Sequence, residues 1–540
     1  MFSRAETRGI VTSGWLVLAL VAVFVGLAVV MLLSHAQEGA GGGLFDAYLW
    51  RVARFTLWQA ALSTLLSVAL AIPVARALAR RRRFPGRIWL VRLAALPLGL
   101  PALVAALGVI GVWGRQGAVN DGLAWFGLQT PFSVYGLAGI LIAHVFFNLP
   151  LAARLMLAGL DRIPGEYWMT SANLGMGPLA VFRLIEWPVI RALVPGIAGL
   201  VFMLCATSFT IVLTLGGGPA ATTIEVAIYQ ALRFDFDPGR AVLLAFLQIA
   251  VTGSLLAALS LLGSPKDEGA TLSRPIRRFD SRGKVADILV IVGFALFVGG
   301  PVAAIVVSGL SADFSRLLAD PLLHQAFLTS TAIAVASATL SLAIALPAIV
   351  VPRTLRAGAD GGETPLVRPL GSALVALCSL ILLVPPVVVA TGWFLVLRQF
   401  GETGRFAPVI IVVINALMAL PFVYRVLDPA YRTHLARTGR LALSLGVTGM
   451  HRLRWIDLPG MRRPLGMAFA FAMALSLGDL SAVAIFGADG FVTLPWLLFS
   501  RMGSYRTMDA AGIALILGVL CLLLTLPSTG LRQREGGPHV

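Results

Sequence analysis

Long apolar stretches separated by short polar segments dominate the pattern along this chain. Eleven of these stretches lack Asp, Glu, Lys and Arg, and a twelfth, 464–488, is interrupted only by Asp479. Because a helix needs about 20 consecutive apolar residues to cross a membrane, the pattern predicts an all-α polytopic membrane protein. Its twelve predicted spans lie near residues 15–34, 55–75, 93–114, 131–153, 192–215, 241–263, 288–309, 325–351, 369–397, 406–424, 464–488 and 510–530.

The second half of the chain repeats the first. With a shift of 271 residues, "NLGMGPLAVFRLIEWP" at 173–188 aligns without a gap with "SLGVTGMHRLRWIDLP" at 444–459. Such self-similarity indicates an internal duplication. The identical pairs include Gly175 with Gly446, Ile185 with Ile456, and Pro188 with Pro459.

Each half holds six predicted spans, and an even number of crossings returns the chain to the same side of the membrane. The two copies therefore insert in the same orientation, as parallel six-helix repeats. A polar segment with Pro, Gly and charged residues separates them and has the composition of a linker. The predicted parts are a first repeat at 1–263, a cytoplasmic linker at 264–284, a second repeat at 285–540, and, inside the repeats, a first loop at about 161–191 and a second loop at about 432–462.

The repeated segment lies in these two loops, between the fourth and fifth spans of each half. In the first loop, Pro164 suits a helix start and Gly175 suits the left-handed residue that follows a helix end. In the second loop, Thr438 is a candidate N-cap and Gly446 is the corresponding stop. Two short helices at matching positions would suit a dimeric or two-lobed partner. The alternative, basic loops shaped only by membrane orientation, does not explain the shared Gly, Ile and Pro spacing.

Composition and charge narrow the classes of function. The chain is 58% hydrophobic and 12% charged, with a mean hydropathy of +0.90 and a formal net charge of +17. Basic residues accumulate in the cytoplasmic loops of membrane proteins. When the N-terminus is placed inside, most Lys and Arg fall on or beside the inner face, whereas Asp and Glu divide about evenly. The charge therefore predicts that both termini are cytoplasmic, and it does not indicate binding to nucleic acid.

The spacing of the repeated segment resembles a known motif. Glycine, isoleucine and proline in this spacing are similar to the EAA loop of permease subunits of ATP-binding-cassette importers, although the letters E, A and A are absent. The resemblance implies the type I importer permease fold, with a coupling helix in each loop that sits in a groove of a separate ATPase. It also implies the partners, namely a pair of cytoplasmic ATP-binding subunits, an extracytoplasmic substrate-binding protein and membrane lipid.

Two further stretches resemble the fused twelve-span thiamine permeases. They are "LTLGGGPAATTIEVAIYQALRFDFDPGRA" at 213–241 and "SLGDLSAVAIFGADGFVTLPWLLFSRMGSYRTMDAA" at 476–511. This resemblance implies a protein of the bacterial inner membrane that moves thiamine or its phosphates. Permeases for ferric iron or a polyamine share the architecture and stay open as alternatives. An ion-driven secondary transporter also has two six-span halves, but more intramembrane carboxylates or histidines than Asp479 and His144 are expected of one.

The sequence lacks a motif for an ATPase site of its own. A phosphate-binding loop places a lysine between a glycine and a serine or threonine, and neither Lys266 nor Lys284 has both neighbours. We therefore expect a transport subunit that is not an enzyme and binds no cofactor or metal. ATP and Mg are then used by the partner ATPase.

Asp479 and Ser208 are the candidate residues of the substrate pathway. A carboxylate within the membrane costs about 3 kcal/mol on insertion scales and usually faces a cavity or a partner. Ser208 is its counterpart at the 271-residue shift. One reading places both residues at the central passage, where the carboxylate attracts the positively charged thiazolium. The other reading places Asp479 near the outer end of its span, where it caps a broken helix or meets water.

Overall fold

Helices make up most of the part of the chain that the structure describes. The computed structural model describes residues 4–39, 47–82, 84–127, 133–261, 284–357, 368–381, 384–401, 403–447, 449–487 and 491–529. Within these ranges no residue belongs to a β-strand. The membrane core has no water to bond free N–H and C=O groups, so an apolar chain that crosses it satisfies its backbone best as a helix.

Helices α1 to α13 precede the linker, together with a π-helical turn at Phe182–Glu186. They are α1 (Arg4–Gly39), α2 (Ala47–Arg80), α3 (Arg87–Leu93), α4 (Leu96–Gly99), α5 (Ala102–Trp113), α6 (Ala118–Trp125), α7 (Leu137–Leu160), α8 (Gly165–Asn173), α9 (Pro178–Val181), α10 (Trp187–Ala206), α11 (Phe209–Leu215), α12 (Ile224–Arg233) and α13 (Pro238–Leu261).

Helices α14 to α24 follow the linker, together with a second π-helical turn at Leu453–Asp457. They are α14 (Lys284–Leu310), α15 (Phe314–Leu318), α16 (Pro321–Ala357), α17 (Arg368–Leu380), α18 (Pro386–Gln399), α19 (Thr403–Ser444), α20 (Gly449–Arg452), α21 (Leu458–Leu477), α22 (Ser481–Phe486), α23 (Leu494–Gly503) and α24 (Thr507–Thr529).

Eleven helical segments of the described chain are long and apolar enough to cross a membrane. The ninth predicted span, 369–397, is instead a pair of shorter apolar helices, α17 and α18. Helix α18 begins at Pro386, directly after Pro385, whose ψ of 151° is extended. Proline lacks an N–H group and holds the preceding residue in an extended conformation, so two consecutive prolines interrupt a helix. With this pair counted as one crossing, the structure accounts for the twelve predicted spans.

The third predicted span, 93–114, is also interrupted. It contains the end of α3, then α4 and α5, and α5 begins after Pro101, whose ψ is 140°. The run is apolar throughout, so hydropathy alone predicted one continuous helix. Pro101 was the residue that signalled the break.

The chain divides into two compact units that are not contiguous in sequence. One unit comprises Phe45–Ala227 and Leu247–Ala312, and in it α7, α10 and α14 pack against α2. Helix α14, the first span of the second half, also packs on α5. At this contact a Cβ atom on Gly108 would lie 2.6 Å from the carbonyl oxygen of Pro301, so the close approach requires glycine.

The other unit comprises Met1–Leu44, Ile228–Phe246 and Asp313–Val540. Its buried apolar core is formed by α1, α16, α17, α19 and α21. Helix α1, the first span of the first half, packs on α18, where a Cβ atom on Gly392 would lie 2.5 Å from the carbonyl oxygen of Ala28. Gly392 stands as far beyond Pro385 as Gly108 stands beyond Pro101, so the duplication extends to this helix contact.

The boundary between the sequence repeats stays a prediction. Of the linker at 264–284, only Lys284, the first residue of α14, lies within the described residues. The two units group helices by packing, whereas the repeats group them by sequence, so the units do not test that boundary.

Candidate functional site

The first loop contains α8, as predicted. Pro164 is the N-cap residue of α8 with an extended ψ of 145°, and Gly175 follows the end of α8 with a φ of +63°. The N–H group of Met176 donates to the carbonyl of Ser171 at 2.9 Å, and that of Gly175 donates to the carbonyl of Ala172 at 3.0 Å. These bonds satisfy carbonyl groups that the helix end leaves free. The predicted start at Pro164 and stop at Gly175 are confirmed.

The second loop has an equivalent end but a different start. Helix α19 continues from the tenth span to Ser444, so no separate short helix forms. Thr438 lies inside α19, where its hydroxyl donates to the carbonyl of His434 at 2.9 Å, and the prediction that it is an N-cap was wrong. Leu435 occupies the place that Pro164 holds in the first loop, and the three prolines inside α19, at 408, 421 and 429, do not end the helix.

Gly446 ends α19 as Gly175 ends α8. Its φ is +66°, and the N–H group of Val447 donates to the carbonyl of Ala442 at 2.9 Å. Both the bond and the glycine match the first loop at the 271-residue shift. The predicted stop at Gly446 is confirmed.

Both loops expose apolar side chains at matching positions. Their exposed fractions run from 47% at Met450 to 78% at Leu179. Apolar side chains exposed at the same positions of both copies suit a contact surface. The matched pairs are Leu174 with Leu445, Leu179 with Met450, and Leu184 with Trp455.

The chain leaves each loop through a π-helical turn. Ile185 and Ile456 lie in these turns and are half-buried. Pro188 and Pro459 follow in continuous helix, because the residues just before α10 and α21, Glu186 and Asp457, are themselves helical. The N–H group that proline lacks therefore removes one backbone hydrogen bond next to each π-helical turn. Single π-helical turns are uncommon and occur frequently at functional sites.

Each π-helical turn also contains a buried carboxylate that was not predicted from the sequence. The Glu186 side chain is fully buried, and its Oε2 accepts the Nε–H of Arg76 at 2.7 Å. At the matching position, Oδ1 of Asp457 lies 3.0 Å from Nε2 of His434, and its Oδ2 lies 3.5 Å from Nε of Arg452. The signal was present in the repeat, because "IEWP" and "IDLP" both place an acidic residue after the matched isoleucine.

The candidate pathway residues lie where the fifth and eleventh spans break. Ser208, with an extended ψ of 98°, separates α10 from α11. Asp479 lies between α21 and α22, and its carboxylate accepts the N–H groups of Ser481 at 3.1 Å and Ala482 at 3.3 Å. These are the bonds of a helix cap. The Asp479 side chain is half-buried, and its role in the substrate pathway stays a prediction.

One exposed aromatic residue just before the last span of each half was also not predicted from the sequence. Phe236 precedes α13 and Tyr505 precedes α24, and among the described residues only these two non-glycine residues have a positive φ, 53° and 60°. Their exposed fractions are 77% and 93%. The left-handed conformation costs roughly 1–2 kcal/mol for a residue with a Cβ atom, and such strain is concentrated at functional sites. Neither residue type signals this conformation in a sequence.

Comparison with known proteins gives the chain its family. No family model matches it. The thiamine transport system permease protein ThiP of Brucella abortus (strain 2308) is 52% identical over 522 residues, which cover 95% of this chain and 94% of that protein. ThiP of Escherichia coli (strain K12) is 46% identical over 481 residues, or 89% of this chain and 88% of that protein.

A shorter match extends the similarity beyond these relatives. The molybdenum transport system permease protein ModB of Mycobacterium bovis is 34% identical over 212 residues, or 38% of this chain and 74% of that protein. The all-α polytopic fold and the resemblance to fused permeases are both confirmed. The chain belongs to the family of thiamine transport system permease proteins.

Proposed function

We propose that this chain is the permease subunit of an ATP-driven importer that moves thiamine or its phosphates across the bacterial inner membrane. The observation that carries the proposal is the duplicated loop. Its two copies contain equivalent glycine turns and expose matched apolar side chains. Two matched loops that can each bind a partner suit a transporter whose ATPase is a separate subunit. We call the loops at 161–191 and 432–462 the coupling loops from here on.

A pair of cytoplasmic ATP-binding subunits is the proposed partner at the coupling loops. One subunit takes α8 with Leu174, and the other takes the end of α19 with Leu445. The exposed fractions of these leucines, 71% and 67%, are those of side chains that a partner would cover. ATP and Mg are bound by the partner in this proposal, and this chain binds no cofactor itself.

An extracytoplasmic substrate-binding protein is the proposed partner on the opposite face. Phe236 and Tyr505 belong to loops that one crossing separates from the coupling loops, so they lie on the other side of the membrane. Asp235 and Asp237 flank Phe236, whereas Arg506 follows Tyr505. Arg240 pairs with Asp235 at 3.9 Å, so the shared feature that the two tips offer a partner is an exposed aromatic ring rather than a net charge.

Transport proceeds by alternating access in this proposal. ATP closes the ATPase dimer, the coupling loops move with it, and the membrane helices reopen toward the other side. Asp479 and Ser208 line the passage at the breaks in the fifth and eleventh spans, where the carboxylate attracts the positively charged thiazolium. Both termini lie in the cytoplasm.

Uptake into vesicles tests the substrate and the energy source together. The permease, its ATP-binding subunits and the binding protein are reconstituted, and labelled thiamine is followed with ferric iron and spermidine as competitors. We expect uptake that needs ATP and is reduced by unlabelled thiamine alone. Competition by iron or spermidine would assign the chain a different substrate, and flux driven by an ion gradient through this chain alone would overturn the importer proposal.

A further inference from the structure

Glu186 and Asp457 occupy the same place in the two coupling loops, the last residue of each π-helical turn. Both carboxylates are buried, and a buried carboxylate without a partner is strongly destabilising. Each is therefore bound to groups around it. The identity of those groups shows which helix each loop is attached to.

In the first repeat, Glu186 is attached to the second span. Arg76 lies near the end of α2, and its Nε–H donates to Oε2 of Glu186 at 2.7 Å. The same guanidinium lies 3.9 Å from the ring centroid of Phe182, the first residue of the π-helical turn. Arg76 thus contacts both ends of the turn, and the turn is held to α2.

In the second repeat, Asp457 is attached to the corresponding span through an aromatic ring. The hydroxyl of Tyr431 donates to Oδ2 of Asp457 at 3.4 Å, and His434 bonds to Oδ1. The guanidinium of Arg353, from α16, lies 5.0 Å from the ring centroid of Tyr431 and also pairs with Asp428. The chain of contacts from α16 to the π-helical turn is therefore Arg353, Tyr431 and Asp457.

The two clusters share a plan although their residues differ. In each, an arginine of the repeat's second predicted span stacks on an aromatic ring, and a buried carboxylate fastens the end of the coupling loop. We propose that Glu186 and Asp457 are positioning residues that transmit displacement of the coupling loops to α2 and α16. This inference rests on the proposed function, because the loops move only if an ATPase holds them.

The helix follows the loop because separating the residues within each cluster costs free energy. In the first repeat, separating Arg76 from Glu186 would leave an uncompensated buried charge, so a loop that moves takes α2 with it. In the second repeat, α16 is linked to the loop through the contact of Arg353 with the ring of Tyr431, whose hydroxyl bonds to Asp457. Both loops would then act on the same span of their repeats. A purely structural role for the two carboxylates predicts reduced stability without any change in the ratio of transport to ATP hydrolysis.

The test measures that ratio in the reconstituted complex with Glu186→Gln, Asp457→Asn and Tyr431→Phe. Glu186→Gln keeps the shape of the side chain and removes its charge, while Tyr431→Phe keeps the ring and removes only the hydroxyl bonded to Asp457. The control is Asp509→Asn, which breaks an ion pair with Arg316 of 2.6 Å outside the coupling loops. We expect thiamine moved per ATP hydrolysed to fall about tenfold in the carboxylate variants, the scale at which residues along a coupling network act.

The outcomes separate this inference from the proposed function. ATP-binding subunits should copurify with each variant as with the unaltered chain, and Tyr431→Phe should lower the ratio less than Asp457→Asn. Inserted variants whose ratio equals that of the control would overturn the inference, whatever their thermal stability. If Asp457→Asn fails to insert, Tyr431→Phe decides for the second coupling loop, and a ratio equal to that of the control overturns the inference there. Failure of the unaltered chain to bind any ATP-binding subunit would instead refute the proposed function.

Discussion

Asp479 is a carboxylate at a break in a membrane-spanning segment, and its bonds explain how the membrane tolerates it. Two backbone N–H groups at the start of α22 donate to its oxygens, so the charge is bonded as well as half-buried. The same carboxylate can cap α22 and attract a cation. Its oxygens have more lone pairs than the two backbone N–H groups use, and the remaining ones can face the cation.

Substitutions at Asp479 separate the two roles. Asparagine keeps one oxygen and therefore one of the two cap bonds, whereas alanine loses both at a cost of about 1 kcal/mol. We expect Asp479→Asn to lower the melting temperature less than Asp479→Ala does, and both substitutions to lower thiamine uptake. Uptake into vesicles and thermal melting in detergent measure these effects. Equal uptake and stability for Asp479→Asn would show that its charge has no part in the pathway.

At the scale of elements, the two coupling loops reach one geometry from different helices. Pro164 separates α8 from α7 in the first loop, whereas α19 runs on without a break in the second. Both helices nevertheless end at a left-handed glycine followed by an equivalent backbone hydrogen bond. The end of each helix, rather than its beginning, is therefore the shared feature of the two loops.

Substitution of these two glycines tests the importance of that ending. No atom lies within 4 Å of a Cβ built on Gly175 or Gly446, so leucine there acts through the backbone, at roughly 1–2 kcal/mol each. We expect Gly175→Leu with Gly446→Leu to insert normally but to uncouple ATP hydrolysis from thiamine uptake. Gly177→Leu is the matched control, because Gly177 is equally open and has a φ of −71°. Unchanged transport by the double variant would refute the coupling role.

The exposed leucines of the coupling loops give a second prediction at this scale. We expect Leu174→Asp with Leu445→Asp to insert normally, because both side chains are exposed, and to lose the ATP-binding subunits in copurification. Leu318→Asp is the control, since Leu318 is also exposed but lies on α15, outside the coupling loops. Retention of the subunits by the double variant would show that the ATPase docks elsewhere.

At the scale of the whole molecule, each compact unit contains a first span that the sequence assigns to the other repeat. Helix α14 packs on α2 and α5, and α1 packs on α16 and α18. The chain is a multi-pass membrane protein of the thiamine transport permease family. Its orientation, with both termini inside, follows from charge alone and is open to direct measurement.

Cysteine labelling measures that orientation. The three natural cysteines, Cys205, Cys378 and Cys521, are buried, so an introduced cysteine reacts with little background. We expect a membrane-impermeant maleimide to label Ser504→Cys in intact spheroplasts and to label Thr170→Cys only after the membrane is broken. Both native side chains are exposed. Labelling of Thr170→Cys in intact spheroplasts would reverse the predicted orientation.

The sequence by itself determined the features that depend only on residues close together along the chain. Twelve crossings follow from apolar length, and the stops at Gly175 and Gly446 follow from a conformation that favours glycine. The duplication was visible because both copies keep these residues in register. A local rule failed at Thr438, which is a good N-cap type, because α19 continues through this position to Ser444 in spite of Pro429 ahead of it.

Only the tertiary structure decided which distant residues meet. The bond between Arg76 and Glu186 joins positions far apart in the chain, and the contact of α14 with α5 joins one half to the other. In both cases the partner is set by packing of helices whose apolar surfaces look alike in sequence, so hydropathy cannot choose among them.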